Sequence, residues 1–290
     1  MRNSQPNFFI VGAPKAGTTS LYSNLNMHPE VYMPLTIKEP DYFSHEEILK
    51  QDLYYNTTHI TSKAQYEALF SGVGTQKAVG EASVSYLFYP GAAKKIHDFN
   101  PSAKIIIILR DPVERAYSHY LMDFRLGLIK DSFEEIVFRK SSSRYAEMYY
   151  QQVVLLGEYG DQIKRYINTF GESQVKILLY DQLKADPAGL MKEIFSFLEI
   201  DEGFEIDMGQ KHNSYAAPKN RLVEKMYQMH HLRSSISRAI PTTLKNALRS
   251  SFFKEGKKPE MSMEAKEFLK VHYKKDVEIV RQITNSQCWL

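Results

Sequence analysis

The residues best suited to chemistry form a loop near the start of the chain. Residues 12–20 read Gly-Ala-Pro-Lys-Ala-Gly-Thr-Thr-Ser and lie between an apolar segment and a helical pattern. The backbone N–H groups and the dipole at the start of a helix attract an anion. Gly17 allows a close backbone approach, Lys15 adds a positive charge, and Thr18 and Thr19 add hydroxyl donors. The loop therefore predicts a phosphate-binding site, with an ordinary turn capped by threonines as the alternative.

The position of the lysine separates this loop from that of nucleoside triphosphatases, which has the pattern G-x-x-x-x-G-K-[ST]. Gly12 and Gly17 keep the glycine spacing, but Thr18 stands where the lysine is required. The lysine lies inside the loop instead, as Lys15. The pattern therefore favours another phosphate ligand, and a P-loop kinase or nucleotide hydrolase is the second hypothesis.

A second candidate phosphate site follows the apolar run at 104–109. Arg110 comes directly after this run, and Ser118 follows two helical turns later, facing away from the apolar stripe of its helix. A guanidinium group presents a fork of donors that suits phosphate. The alternatives are an ion pair between Arg110 and an acidic neighbour, and a metal ion at Asp111. The proline at 112 favours Asp111 as a helix cap instead.

These residues require a scaffold in which strands alternate with helices. Apolar runs rich in β-branched residues predict strands, and apolar residues recurring every three to four positions predict helices. Their alternation predicts a mainly parallel sheet flanked by helices. Predicted strands cover 7–11, 77–80, 104–109 and 174–179; predicted helices cover 17–27, a segment from 112, one or two helices in 145–169, 187–198, 218–232 and a last helix opened by Ser262.

Composition limits the class of protein. The 290 residues carry a formal net charge of +3 and one cysteine, Cys288. Nucleic-acid-binding domains usually cluster basic residues on one face, and membrane spans need about 18 apolar residues in a row, so we expect neither partner. One cysteine excludes an intramolecular disulfide. We expect one domain over residues 1–290, without a signal peptide, that works in the cytoplasm on a small molecule.

Four separated segments resemble PAPS-dependent sulfotransferases, especially the heparan sulfate group and its bacterial relatives. The segments are 8–21, 37–43, 80–88 and 104–120, and the C-terminal region resembles the family more weakly. The resemblance implies a P-loop-like three-layer α/β domain. It also implies 3′-phosphoadenosine 5′-phosphosulfate (PAPS) as the sulfuryl donor, 3′-phosphoadenosine 5′-phosphate (PAP) as the product, and no metal.

The resemblance also implies a donor site. In the family the first loop holds the 5′-phosphate and sulfate, and its lysine, here Lys15, contacts the bridging oxygen. The resemblance implies that Arg110 and Ser118 bind the 3′-phosphate. A basic segment before the last helix resembles the loop that closes over the nucleotide, but its register is open and a solvated loop is the alternative. The implied cofactor-binding residues are Lys15, Ala16, Gly17, Thr18, Thr19, Ser20, Arg110, Ser118, Lys254, Lys257 and Lys258.

Residues 36–43, Thr-Ile-Lys-Glu-Pro-Asp-Tyr-Phe, resemble the segment that supplies the family's catalytic glutamate. This implies Glu39 as the general base, because a hydroxyl is a poor nucleophile while it keeps its proton. A surface ion pair with Lys38 is the alternative role for Glu39, and His45 and His59 are alternative bases. The candidate acceptor-binding residues are Lys38, Tyr42, Phe43, Glu81 and Tyr86.

One position departs from the heparan enzymes, which commonly carry a lysine where Ala82 stands. With the near-neutral net charge, this favours a hydroxyl or an amine or guanidine nitrogen of a small molecule as the acceptor. A saccharide acceptor is the alternative. A third hypothesis is a nucleotide-binding module without catalysis, against which Glu39 argues.

Overall fold

A computed structural model describes residues 5–55, 57, 59–206, 216–218, 253–255 and 259–289, with backbone alone for 216–218 and 253–255. Its centre is a sheet of five parallel strands in the order β2-β3-β1-β4-β5. The strands are β1 (Phe8–Gly12), β2 (Val31–Tyr32), β3 (Ala78–Ala82), β4 (Lys104–Leu109) and β5 (Val175–Leu179).

The central strands are apolar along their whole length, and this explains their position. All five residues of β1 are buried, as are residues 105–109 of β4. Parallel strands covered by helices on both faces have this continuous pattern, whereas a strand with one wet face alternates. The predicted α/β class and the mainly parallel sheet are confirmed.

Helices follow the strands and cover the sheet. The predicted caps are present: the Asp111 side chain accepts the N–H of Glu114 at 2.9 Å, and Ser262 Oγ accepts the N–H of Ala265 at 3.3 Å. The helices are α1 (Thr18–Leu25), α2 (His45–Leu49), α3 (Lys63–Ala68), α4 (Pro90–Phe99), α5 (Pro112–Arg125), α6 (Phe133–Val137), α7 (Ala146–Val153), α8 (Tyr159–Phe170), α9 (Tyr180–Ala185), α10 (Pro187–Leu198) and α11 (Met263–Thr284).

Three parts of the helix prediction need comment. The segment 145–169 forms two helices, α7 and α8, joined by a short 3₁₀ turn at 155–157. Helices α2, α3, α4, α6 and α9 were not predicted from the sequence. The helix expected at 218–232 lies outside the described residues. A short strand β6 (Ala216–Pro218) pairs antiparallel with β7 (Phe253–Glu255).

The strand order determines where loops can meet. From β1 the chain crosses to β2 at the edge of the sheet, returns to β3 beside β1, and then continues to β4 and β5 on the other side of β1. In open parallel sheets, ligands bind beyond the carboxyl ends of the strands where the order reverses. The loops after β1, β3 and β4 therefore converge at one edge of the sheet.

Candidate functional site

One cavity of about 540 Å³ lies at this edge. Its walls come from the loop after β1, the start of α1, the residues after β3, one face of α5 and the segment between α2 and α3. Several lining side chains can carry charge or donate hydrogen bonds. They are Lys15, Thr18, Thr19, Ser20, Glu39, Asp41, His59, Arg110, Ser118, His119 and Asp123.

The loop after β1 is built for a close backbone approach. The N–H of Ala13 donates to the carbonyl of Ile108 in β4 at 2.7 Å, which anchors the loop to the sheet. Gly17 is the N-cap of α1 with a φ of 100°, and a Cβ there would lie 2.9 Å from Leu183 Cδ2. Both the conformation and the space therefore require glycine. A glycine cap offers the first-turn N–H groups no side-chain acceptor, an arrangement that suits an anion.

Lys15 brings its ammonium group into the cavity from a left-handed backbone conformation, φ 67°. Its Nζ donates to Met122 Sδ at 3.2 Å. Burial lowers the pKa of Lys15, nearby arginines act in the same direction, and the Asp123 carboxylate opposes them. A buried cation of this kind gains from an anionic ligand, which would replace the lost hydration.

Arg110 joins the first loop to α5. Its Nη1 donates to the carbonyl of Lys15 at 3.4 Å, and its Nη2 lies 3.4 Å from Glu114 Oε2. The guanidinium group also lies over the Tyr180 ring, 5.1 Å from the centroid. The ion pair considered as an alternative is therefore present, and Arg110 lines the cavity as well, together with Ser118.

A polar column runs along α5 beside the cavity. Arg115 is fully buried and donates through Nη1 to His119 Nδ1 at 3.2 Å. Because a guanidinium group has only donors, Nδ1 must accept, and the His119 proton is on Nε2. This Nε2 lies 3.6 Å from Asp123 Oδ2. Burial lowers the pKa of His119 well below its ordinary value, and Arg115 and Lys15 add to the effect, so this imidazole is neutral.

Asp123 links this column to the segment between α2 and α3. It accepts a hydrogen bond from the Tyr54 hydroxyl at 2.5 Å. Burial raises the pKa of Asp123 to about 6, and the Tyr54 hydrogen bond and the Lys15 charge partly offset that rise. The segment that carries Tyr54 is thus held against α5, and it contributes Tyr55, Thr57 and His59 to the cavity.

Acidic groups gather on the side of the cavity that Glu39 lines. The Glu39 side chain is 38% exposed and its Oε1 lies 2.5 Å from Lys38 Nζ, so the ion pair expected as an alternative is also present. Burial raises the pKa of Tyr55, and the carboxylates of Asp123, Asp41 and Glu39 raise it further. All three carboxylates therefore act on one phenol within the cavity.

Several residues predicted to bind the acceptor lie elsewhere. Phe43 and Tyr86 are buried in the core, where the Tyr86 hydroxyl accepts the N–H of Phe43 at 3.3 Å. Tyr42 stacks on Tyr66 with ring centroids 4.4 Å apart. These aromatic rings pack between β3 and the loop after β2. Contrary to the expectation for acceptor-binding residues, they do not line the cavity. Lys38 reaches the cavity only through Glu39.

Glu81 is also a core residue and not a wall of the cavity. It is 1% exposed. Burial raises its pKa to about 8, which the nearby Tyr86 and Tyr66 hydroxyls partly offset and Asp41 increases. Glu81 is therefore largely protonated at neutral pH and does not offer a carboxylate to a substrate.

The remaining donor-site predictions divide into two groups. Gly17 lines the cavity beside the residues already described, whereas Ala16 is fully buried and does not line it. Lys254 lies in β7, for which only the backbone is described, and Lys257 and Lys258 lie outside the described residues. The closing basic loop therefore stays a prediction.

The described part of the chain contains neither a cluster of metal ligands nor a membrane-spanning helix. Within it, no group of three or more His, Cys, Asp or Glu side chains is arranged to hold a metal ion. In the same residues, no helix combines the length and the apolar character needed to cross a membrane.

The sequence reading missed the polar face of α5 and Asp41. The apolar stripe of α5 was recognised, and the complementary stripe of Arg115, His119 and Asp123 at intervals of four was a usable signal. Asp41 gave no comparable signal. It reaches the cavity because it adopts a left-handed conformation with φ 52°.

Comparison with known proteins agrees on one family. A sequence model of the family described as "Sulfotransferase domain" matches residues 5–281. The crystal structure of a sulfotransferase from Alicyclobacillus acidocaldarius superimposes with a TM-score of 0.71 at 30% identity, covering 98% of this chain and 97% of that chain.

Two curated relatives are longer proteins. Human bifunctional heparan sulfate N-deacetylase/N-sulfotransferase 3 is 31% identical over 204 residues, which cover 67% of this chain and 22% of that protein. Mouse carbohydrate sulfotransferase 15 is 28% identical over 246 residues, covering 67% of this chain and 44% of that protein. The chain therefore spans less than half the length of either relative.

Proposed function

Because this chain belongs to the sulfotransferase domain family, we propose that it transfers a sulfuryl group from PAPS to a small molecule and releases PAP. The acceptor atom is a hydroxyl oxygen or an amine or guanidine nitrogen. One observation carries the proposal: a single cavity gathers Lys15, Arg110, Ser118 and Glu39, which are far apart in sequence.

The donor end of the cavity suits a ligand with several anionic groups. The start of α1 and the Lys15 ammonium group would hold the 5′-phosphosulfate, with the hydroxyls of Thr18, Thr19 and Ser20 as further donors. Arg110 and Ser118 would hold the 3′-phosphate, for which a guanidinium fork is well shaped. PAPS supplies an activated sulfuryl group. A donor set of cations, hydroxyls and backbone N–H groups matches its charge.

Within this site the protein positions the reactants and handles charge. Lys15 donates to the oxygen that becomes the leaving phosphate oxygen, where negative charge develops. Glu39 takes the proton from the acceptor as the acceptor attacks in line. Sulfuryl transfer resembles phosphoryl transfer in this respect, because positioning and electrostatic stabilisation provide most of the catalysis.

The acidic lining supports a small neutral or cationic acceptor. Glu39, Asp41 and Asp123 line the cavity, whereas the Lys and Arg side chains that line it among the described residues are Lys15 and Arg110, which the donor would occupy. A polyanionic saccharide would meet like charges at this end, and opposed like charges weaken association.

The direct test is incubation with PAPS and an acceptor panel, followed by mass spectrometry for an added sulfuryl group. Benzyl alcohol, tyramine and agmatine represent an alcohol, a phenol with an amine, and a guanidine. Transfer to at least one of them supports the proposal. PAP binding without transfer to any acceptor, small or saccharide, would indicate a binding module instead.

The role of Glu39 is tested by Glu39→Gln, which keeps the shape of the side chain and removes its basicity. We expect kcat to fall roughly 10²–10⁴-fold, the range for a positioned general base, with PAP affinity unchanged in calorimetry. Glu46→Gln is a matched control, because Glu46 lies on α2 and pairs with Lys95 at 2.6 Å. Full activity of Glu39→Gln would remove Glu39 from this role.

A further inference from the structure

Asp41 is held in an unusual conformation beside the cavity. Its φ of 52° lies in the left-handed region, which Asp tolerates better than most residues but which still costs energy. The Asp41 N–H donates to Ser83 Oγ at 3.1 Å, and the Ser85 hydroxyl donates to Asp41 Oδ1 at 2.5 Å. These contacts fix one carboxylate oxygen and leave Oδ2 directed at another group.

That group is the imidazole of His59. The His59 side chain is 6% exposed, lines the cavity, and has its Nδ1 3.7 Å from Asp41 Oδ2. Among the described residues, this buried Nδ1 has no hydrogen-bond partner. The backbone beside it is anchored, since the N–H of Ile60 donates to the carbonyl of Pro40 at 3.0 Å. His59 and Asp41 are thus held together from both sides.

A carboxylate facing a histidine nitrogen, with a hydroxyl orienting the carboxylate, is the arrangement that prepares an imidazole for proton transfer. The carboxylate selects the tautomer with the proton on Nδ1 and leaves Nε2 to accept. The separation of 3.7 Å exceeds a hydrogen bond. Catalytic hydrogen bonds are often long before substrate binds and shorten in the complex.

We propose that His59, oriented by Asp41, is a second proton-accepting residue of the cavity and takes over the acceptor proton that Glu39 removes. The inference rests on the proposed transfer from PAPS. A bond forms between the acceptor atom and sulfur while the bond from sulfur to the phosphate oxygen of PAP breaks, and its electron pair stays on that oxygen. The acceptor atom keeps the electron pair of its bond to hydrogen, and the proton moves first to Glu39 and from there to Nε2. Asp41 then stabilises the imidazolium.

The first test does not depend on the acceptor. Nitrogen-15 NMR of the whole protein reports which ring nitrogen of His59 carries the proton, and we expect Nδ1. Asp41→Asn should remove this preference while keeping the hydrogen bond from Ser85. Protonation of Nε2 in the wild-type protein would overturn the proposal, because that nitrogen could not accept.

The second test measures turnover of PAPS with benzyl alcohol, tyramine and agmatine. His59→Gln should lower kcat roughly 10²-fold with the KM for PAPS unchanged, as for loss of a general base. Added imidazole should restore part of the activity of His59→Gly, which loss of a purely structural residue does not allow. His45→Gln is the control, because His45 lies outside the cavity lining and its Nδ1 contacts the Tyr42 carbonyl at 2.5 Å.

The outcomes separate this inference from the proposed function. Unchanged kcat in His59→Gln, or a loss that imidazole does not rescue, would overturn the role of His59 and leave the transfer reaction intact. Failure of the wild-type protein to bind PAP would instead contradict the proposed donor. The NMR result on His59 would stand in either case.

Discussion

Lys15 shows how one residue can combine strain, burial and charge. Its backbone is left-handed at φ 67° and burial lowers its pKa, so the loop maintains the ammonium group at a cost. Strain and poor solvation of this kind are typical of functional positions and of little use to the core.

We therefore expect Lys15→Ala to abolish turnover while the protein remains folded. In the proposed reaction the lost group neutralises the leaving phosphate oxygen, and such groups contribute roughly 10²–10³-fold to kcat. Single-turnover transfer from PAPS measures the effect, and the melting temperature checks the fold. Lys63→Ala, at a side chain 67% exposed, is the control. Near-normal kcat in Lys15→Ala would remove the lysine from the leaving-group role.

The burial of Glu81 leads to a prediction about how stability depends on pH. Its pKa is raised from 4.5 to about 8 by burial, so the folded state keeps a proton that the unfolded state releases. Stability therefore falls as pH rises between these two values, by on the order of 5 kcal/mol in total. Glu81→Gln should remove this fall. The free energy of unfolding of the variant should therefore increase relative to that of the wild type from pH 5 to pH 8.

Urea unfolding at several pH values measures the difference. Glu67→Gln on α3 is the control, because that side chain is 43% exposed. Curves for wild type and Glu81→Gln that stay parallel across this range would contradict a buried, protonated Glu81.

At the scale of elements, α5 explains how donor and acceptor groups come together. One face carries Val113, Ala116, Tyr117 and Tyr120 into a core cluster shared with α6, α7 and α11. The other face carries Ser118, His119 and Asp123 to the cavity. Because β4 ends at Leu109 and α5 starts at Pro112, Arg110 is confined to the junction.

If Arg110 at this junction binds the 3′-phosphate, its removal should selectively weaken the binding of ligands that carry this group. Arg110→Ala should weaken PAP far more than adenosine 5′-phosphosulfate, which lacks the 3′-phosphate. Calorimetry without magnesium measures both ligands. Arg139→Ala is a suitable control, because Arg139 lies over the Tyr150 ring and outside the cavity lining. Equal losses for the two ligands would place Arg110 away from the 3′-phosphate.

At the scale of the whole molecule, charge bears on the acceptor. A formal net charge of +3 provides little long-range attraction for a polyanion, and the carboxylates in the cavity oppose one. We expect small alcohols, phenols, amines or guanidines to be sulfated with little dependence on salt.

Competition between heparin-like oligosaccharides and the small acceptors, at low and high salt, tests this expectation. Attraction between exposed charges is screened as salt rises, so a reaction that depends on it slows. Efficient and strongly salt-sensitive sulfation of the oligosaccharide, with no turnover of any small acceptor, would support the saccharide alternative.

The family, the α/β class and the loop after β1 could be predicted from the sequence. Local signals were sufficient there: an apolar β1 running into Gly17, and a capped helix after Arg110, are short-range patterns with one physical solution. The loop after β1 and Arg110 each follow a predicted parallel strand, and such strands end at a common edge. Glu39 follows no predicted strand and was assigned through the family resemblance alone.

The cavity wall around Asp41 and His59 became visible only in the folded structure. From the sequence alone, Phe43 and Tyr86 could equally line a pocket or fill the core. In the structure both are buried in the core. Asp41 and His59 meet because a left-handed residue and a separate segment converge. Contacts between distant segments depend on the backbone path of both, and no local pattern records that path.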